Sequence, residues 1–129
     1  MPRIFNPVDI SQEEKEVRKD YFDRHTPVVI CDDYATEGVK FKVKIRLGTE
    51  YMHPDDPDHF ISYVQLWNRE TFIAETHFAP GVLGNNPEHV EVDFYIVPGP
   101  VTMNLSAMSV CTKHGLWQSE SREVGIRKR

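Results

Sequence analysis

The chain has 129 residues, a formal net charge of −5, 40% hydrophobic and 27% charged residues, the composition of one globular domain with a core of its own. That charge argues against a general nucleic-acid binder. No run of eighteen apolar residues predicts a membrane span, and no apolar stretch follows Arg3, so neither a membrane anchor nor a signal peptide is expected and the cytoplasm is the expected location.

Ser11-Gln12-Glu13-Glu14 has the spacing of a capping box and predicts a short charged helix to about Tyr21 or Phe22, ended ahead of Pro27. Beyond it the hydrophobic period is two. Strands are predicted over residues 27–31, 39–46, 60–67, 71–78, 90–97, 101–110 and 120–126. Turn chemistry separates them at Leu47-Gly48, residues 54–57, Pro80-Gly81, residues 84–87 and Pro98-Gly99-Pro100. About seven short strands predict an all-β, antiparallel β-sandwich with a short N-terminal helix, a small barrel being the alternative. No repeat, linker or low-complexity segment interrupts residues 1–129, and Arg127-Lys128-Arg129 reads as a solvated tail.

Six histidines and two cysteines carry the candidate chemistry. A disulfide between Cys31 and Cys111 is not expected in a cytoplasmic chain of this size, which leaves a thiolate role open for one of them. His25 sits at the predicted helix-to-strand corner. His53 and His59 bracket HPDDPDH just before a strand, and Cys111 and His114 bracket CTKH just after one. Side chains at element ends can converge from separate loops. C-x-x-H lets one turn aim two side chains at an ion, although the spacing also arises by chance. A second histidine pair, in a loop stiffened by Pro54 and Pro57, adds to it. Four imidazoles and a thiolate exceed a closed tetrahedral zinc site. Imidazole serves iron, copper, nickel and zinc, while a single thiolate pulls toward a redox metal. Five protein ligands on an octahedral ion leave one position for a small molecule.

The remaining candidates read more plainly. His77 and His89 are surface or edge histidines, and Cys31 is a small buried hydrophobe. Trp117 packs either against the ligand loop or in the core. The cationic stripe Lys40, Lys42, Lys44 and Arg46 is a solvated strand face or a dock for an acidic partner. The acidic turn of Asp55, Asp56 and Asp58 has no single reading.

In their order and spacing, DRHTPVV, HPDDPDHFI and CTKHGLW resemble the three motifs of the superoxide reductases, the family of the neelaredoxins and of the catalytic domain of desulfoferrodoxins, over residues 23–117. The resemblance implies an immunoglobulin-like β-sandwich holding a single non-haem iron (Fe2+/Fe3+). His25, His53, His59 and His114 would supply an equatorial plane, and Cys111 an axial thiolate opposite an open position. It further implies reduction of superoxide to hydrogen peroxide without release of oxygen, an external electron donor such as rubredoxin, and a homotetramer. The family has a Glu-Lys pair before its first histidine, where this chain has Asp23-Arg24. Asp23 would take the place of the glutamate that caps the open position, and is shorter by one methylene. Arg24 would guide superoxide, its high pKa leaving proton supply to water. Lys113 would share the guiding role or stand as a solvated loop lysine. With two cysteines, no rubredoxin-like four-cysteine iron centre is expected in this chain. The alternative is a non-enzymatic iron-binding or electron-carrier protein with the same ligands. More distant readings are a zinc-stabilised interaction domain and a hydrolase using Cys111 and His114.

Overall fold

The computed structural model describes residues 18–129. They form α1 (Lys19–His25), β1 (Pro27–Ile30), β2 (Tyr34–Thr36), β3 (Phe41–Leu47), β4 (Ile61–Asn68), β5 (Thr71–His77), β6 (Glu91–Ile96), β7 (Met103–Cys111), β8 (Gly115–Gln118) and β9 (Arg122–Arg127). The Ser11–Glu14 capping box lies outside the described residues. The helix runs on to His25, past its expected end at Tyr21 or Phe22. It stops at Thr26, whose N–H donates to the Phe22 and Asp23 carbonyls and whose hydroxyl donates to Phe22 O at 2.6 Å. Pro27 restricts only the residue directly before it, and Thr26 is already extended.

Two sheets make the sandwich. One has the order β1-β3-β6; the other runs β2-β9-β7-β4-β5, with β8 paired to β7. All pairings are antiparallel except β2 with β9, which is parallel. Among the described residues the strand count is nine rather than about seven, because the short β2 and β8 carry too few residues for a period to register. Alternation in FKVKIRL turns Phe41, Val43, Ile45 and Leu47 inward, the last three fully buried. Each stabilises the fold by about 1.5–3 kcal/mol. They meet Val64, Leu66, Leu105 and Ala107 of the facing sheet in one core. The outward Lys42, Lys44 and Arg46 lie opposite β6, where Asp93 and Glu91 pair with them at 3.1–4.0 Å. The cationic stripe is thereby matched by its neighbour strand.

Register gathers the loops of interest at one end. Pro27, opening β1, pairs with Leu47, closing β3. Ile61, opening β4, pairs with Cys111, closing β7, and Cys111 pairs in turn with Gly115 of β8. The buried Ser109 hydroxyl on β7 donates to the His25 carbonyl at 3.2 Å, joining that strand to the end of α1 there. A bulge between Ile61 and Tyr63 bends β4 at the same end. Among the described residues, no helix is long and apolar enough to cross a membrane.

Candidate metal centre

Five side chains reach this end of the sandwich from four segments. His25 closes α1; His53 and His59 lie in the loop between β3 and β4; Cys111 closes β7; His114 lies in the β7–β8 hairpin. Gly115 takes φ +77° at the end of that hairpin, a conformation glycine adopts without strain, and Thr112 ties the hairpin to the histidine loop. The Thr112 hydroxyl accepts from Phe60 N at 3.1 Å and donates to Asp58 O at 3.3 Å. The His53 segment is fixed from its other side by paired backbone bonds with Glu88 at 2.9 and 3.0 Å.

The four imidazoles stand at the corners of a square. Neighbouring ring centroids are 4.8 Å apart for His25–His53 and 4.9 Å for His53–His59, His59–His114 and His25–His114, with interplanar angles of 75–83°. Across the diagonal, His25 and His59 are 6.5 Å apart and nearly parallel, at 25°. One ligand atom each from His25, His59, Cys111 and His114 lies within 4.8 Å of the other three, and no carboxylate belongs to that group. His53 is not one of those four, but its ring closes the square beside His25 and His59.

Backbone carbonyls fix which nitrogens turn inward. A carbonyl only accepts, so His25 Nδ1–H donates to Tyr21 O at 2.6 Å and His53 Nδ1–H donates to Pro54 O at 2.7 Å. Neutral imidazole then carries its lone pair on Nε2. The Nε2 atoms of His53 and His59 are buried without a hydrogen-bond partner. His114 turns Nδ1 inward, 3.2 Å from His25 Nε2 and 3.7 Å from Cys111 Sγ. Two nitrogens held at right angles about 2.1 Å from one ion would lie about 3 Å apart. Buried, unpartnered acceptors are costly alone, and a cation among them satisfies them together. The donor set therefore fits a metal ion.

The electrostatics favour neutral ligands. Burial, together with the nearby His114 and Arg24, lowers His25 to about 4 against the bond to Tyr21. Burial lowers His53 to about 4 as well, against the bond to Pro54. His59 is lowered by burial and by His114 and Lys113. None of the three competes with a metal by holding a proton at neutral pH.

A second layer surrounds the ligands. Trp117 stacks on His25 and donates Nε1–H to the His114 carbonyl at 3.0 Å. The Tyr21 ring meets His25, His114 and Trp117 within 4.8–5.4 Å, and Phe22 meets Trp117 edge-on. Tyr21 and Thr112 escaped the sequence reading, since the one acts chiefly through a main-chain carbonyl and the other is an ordinary turn residue. Asp55 is buried and accepts from Leu83 N and Asn85 N at 2.8 and 3.1 Å, so the acidic turn is partly a structural clamp. Asp58 pairs with Lys113 at 3.7 Å, both exposed.

Further charged, histidine and thiol side chains lie outside this set. Arg24 pairs loosely with Asp20 at 3.9 Å and buries its Nε without a partner. Lys19 pairs with Glu50 in solvent. Asp23 turns both carboxylate oxygens to the segment after β3. Burial would raise its pKa, but the Thr49 hydroxyl and the backbone N–H groups of Tyr51, Thr49 and Glu50 hold it down at about 2. His77 pairs with Glu75, and His89 Nδ1–H donates to Leu47 O, both apart from the square. Cys31 is half-buried against the core, and burial raises its thiol pKa.

The desulfoferrodoxin family profile matches residues 12–120. A superoxide reductase of Thermococcus kodakarensis is 32% identical over 105 residues, which cover 76% of this chain and 85% of that protein. A neelaredoxin of Megalodesulfovibrio gigas is 27% identical over 126 residues, covering 81% and 89%. The solved structure of a superoxide reductase from Nanoarchaeum equitans superposes with a TM-score of 0.62 at 32% identity, covering 79% of this chain and 94% of that one. That of a superoxide reductase (neelaredoxin) from Ignicoccus hospitalis gives 0.65 over 80% and 81%, at 23% identity, a likeness of fold.

Proposed function

The chain belongs to the desulfoferrodoxin family, and we propose that it is a superoxide reductase whose square of imidazoles and single thiolate bind one non-haem iron. The observation that carries this reading is the inward turn of four histidine nitrogens and Cys111 Sγ, with lone pairs on His25 and His53 fixed by the Tyr21 and Pro54 carbonyls. Four nitrogens and one soft sulfur suit a redox metal and leave an octahedral ion one free position. Iron cycling between its ferrous and ferric states would supply the electron; superoxide takes up that electron and two protons and leaves as hydrogen peroxide.

The protein's own share is positioning and charge. The chain is acidic overall, so local cations must attract an anionic substrate. Arg24, whose charge bears on His25, His53 and His59, is the first of these, and Lys113, beside His59, the second. Both act by charge alone, and water supplies the protons. Residues 1–129 act as one iron-binding domain, in the cytoplasm, as a homotetramer, re-reduced by rubredoxin or a similar small electron donor. Nucleic acid and membrane have no part in this reading.

Metal analysis of the purified protein tests it. We expect one iron per chain and a blue or green colour on oxidation, from thiolate charge transfer. Cys111→Ser loses the colour, and His53→Ala or His59→Ala lowers the iron content, while His77→Ala and His89→Ala keep both. Zinc at full occupancy with no colour would overturn the proposal.

A further inference from the structure

We propose that Asp23 is a positioning residue, whose carboxylate clamps residues 49–51 to the end of α1 and so sets where His53 meets His25. Oδ1 accepts from the Thr49 hydroxyl at 2.6 Å and from Thr49 N at 3.0 Å. Oδ2 accepts from Thr49 N at 3.1 Å, Glu50 N at 2.9 Å and Tyr51 N at 2.8 Å. Three consecutive backbone amides therefore close on one carboxylate, and none of the three donates to a backbone carbonyl among the described residues. Charge-assisted bonds of this kind are roughly twice as strong as neutral ones.

The clamp lies between two of the metal-facing rings. Asp23 precedes His25 by two residues, and Tyr51 precedes His53 by two, so the bonds join the backbones that carry both. Two further contacts run parallel to it: Gly48 N–H donates to Thr26 O at 3.2 Å, and Lys19 meets Glu50 in solvent. The side-chain length matters, because the loop is folded tightly around an aspartate. A glutamate would carry its carboxylate one carbon further, into the backbone it now receives.

This inference rests on the metal-centre reading above and gives Asp23 a role apart from capping an open coordination position. With both oxygens occupied by the loop, Asp23 supports the ligands rather than joining them.

Amide hydrogen exchange and zinc titration of the metal-free protein test it together. In the unsubstituted chain the Thr49, Glu50 and Tyr51 amides should be protected. In Asp23→Asn, protection should fall by about tenfold or more, and zinc affinity by about 10–100-fold, the usual effect of losing a ligand-supporting partner. Asp23→Glu, which keeps the charge, should lose affinity too; Thr49→Val, which removes one bond of the clamp, should fall between. If Asp23→Asn leaves exchange unchanged, no clamp exists and the proposal fails. Lost protection with unchanged zinc affinity would equally overturn it, since the clamp would then position nothing. Failure of the unsubstituted chain to bind any metal would instead overturn the metal-centre reading, and the exchange result would still judge the clamp.

Discussion

The indole of Trp117 lies flat on the imidazole of His25, centroids 4.8 Å apart and planes 16° apart, while its Nε1–H holds the carbonyl of His114 at 3.0 Å. One side chain thus bears on two corners of the square, which are separated by 89 residues of chain.

Removing it should cost more than its area. We expect Trp117→Ala to lower stability by about 2–4 kcal/mol and to loosen both His25 and His114. Trp117→Phe keeps an aromatic face but loses the hydrogen bond, at about 0.5–1.5 kcal/mol. Urea denaturation gives the stabilities, and metal titration of both variants shows whether the ligands have moved.

Gly48 is a sharper structural test. It has φ +82°, and a Cβ there would fall onto the Tyr51 carbonyl, with Asp23 O and Arg24 Cα also close. Gly48→Ala should therefore destabilise by about 1–3 kcal/mol through backbone strain and weaken metal binding by opening the 48–51 turn. Gly99→Ala is the control: nothing lies within 4 Å of its Cβ position, and stability should hold.

Legibility from the sequence followed what residue type can encode. The proposed ligands His25, His53, His59, Cys111 and His114 stand out by residue type, by their place at element ends and by the ordered motifs of the resemblance, and the long alternations of β3 and β4 by their period. What orients the ligands is less visible. The acceptors on His25 and His53 are main-chain carbonyls of Tyr21 and Pro54, and a carbonyl has no residue-type signature. The turn holding Asp55 had no single reading in the sequence, because its partners Leu83 and Asn85 lie about thirty residues away. The stripe on β3 looked free because its matching acids, Glu91 and Asp93, belong to another strand.

The metal-free protein should be acid-sensitive in a defined window. His25 and His53 ionise near 6.5 when unfolded and at about 4 when folded. Between those values the unfolded chain binds more protons, so stability is complete above pH 6.5 and is lost as pH falls toward 4. Each histidine contributes up to about 3 kcal/mol. Urea unfolding of stripped protein should give a lower stability at pH 5 than at pH 7.5; an equal or higher value at pH 5 would contradict the burial argument.

Arg24 should act through its charge. Arg24→Ala should slow the reaction with superoxide severalfold at low ionic strength, and the difference should shrink as salt screens the field. Stopped-flow rates across a salt series would show this. Equal rates for both proteins at low salt would remove Arg24 from the guiding role.

The proposed iron centre reduces superoxide rather than dismutating it. Anaerobic mixing of reduced, iron-loaded protein with superoxide, reading hydrogen peroxide and oxygen together, tests that most directly. One hydrogen peroxide for each iron oxidised, with no oxygen released by the protein, is the expected result. Oxygen evolved in step with peroxide, or superoxide decaying no faster than in buffer, would contradict it.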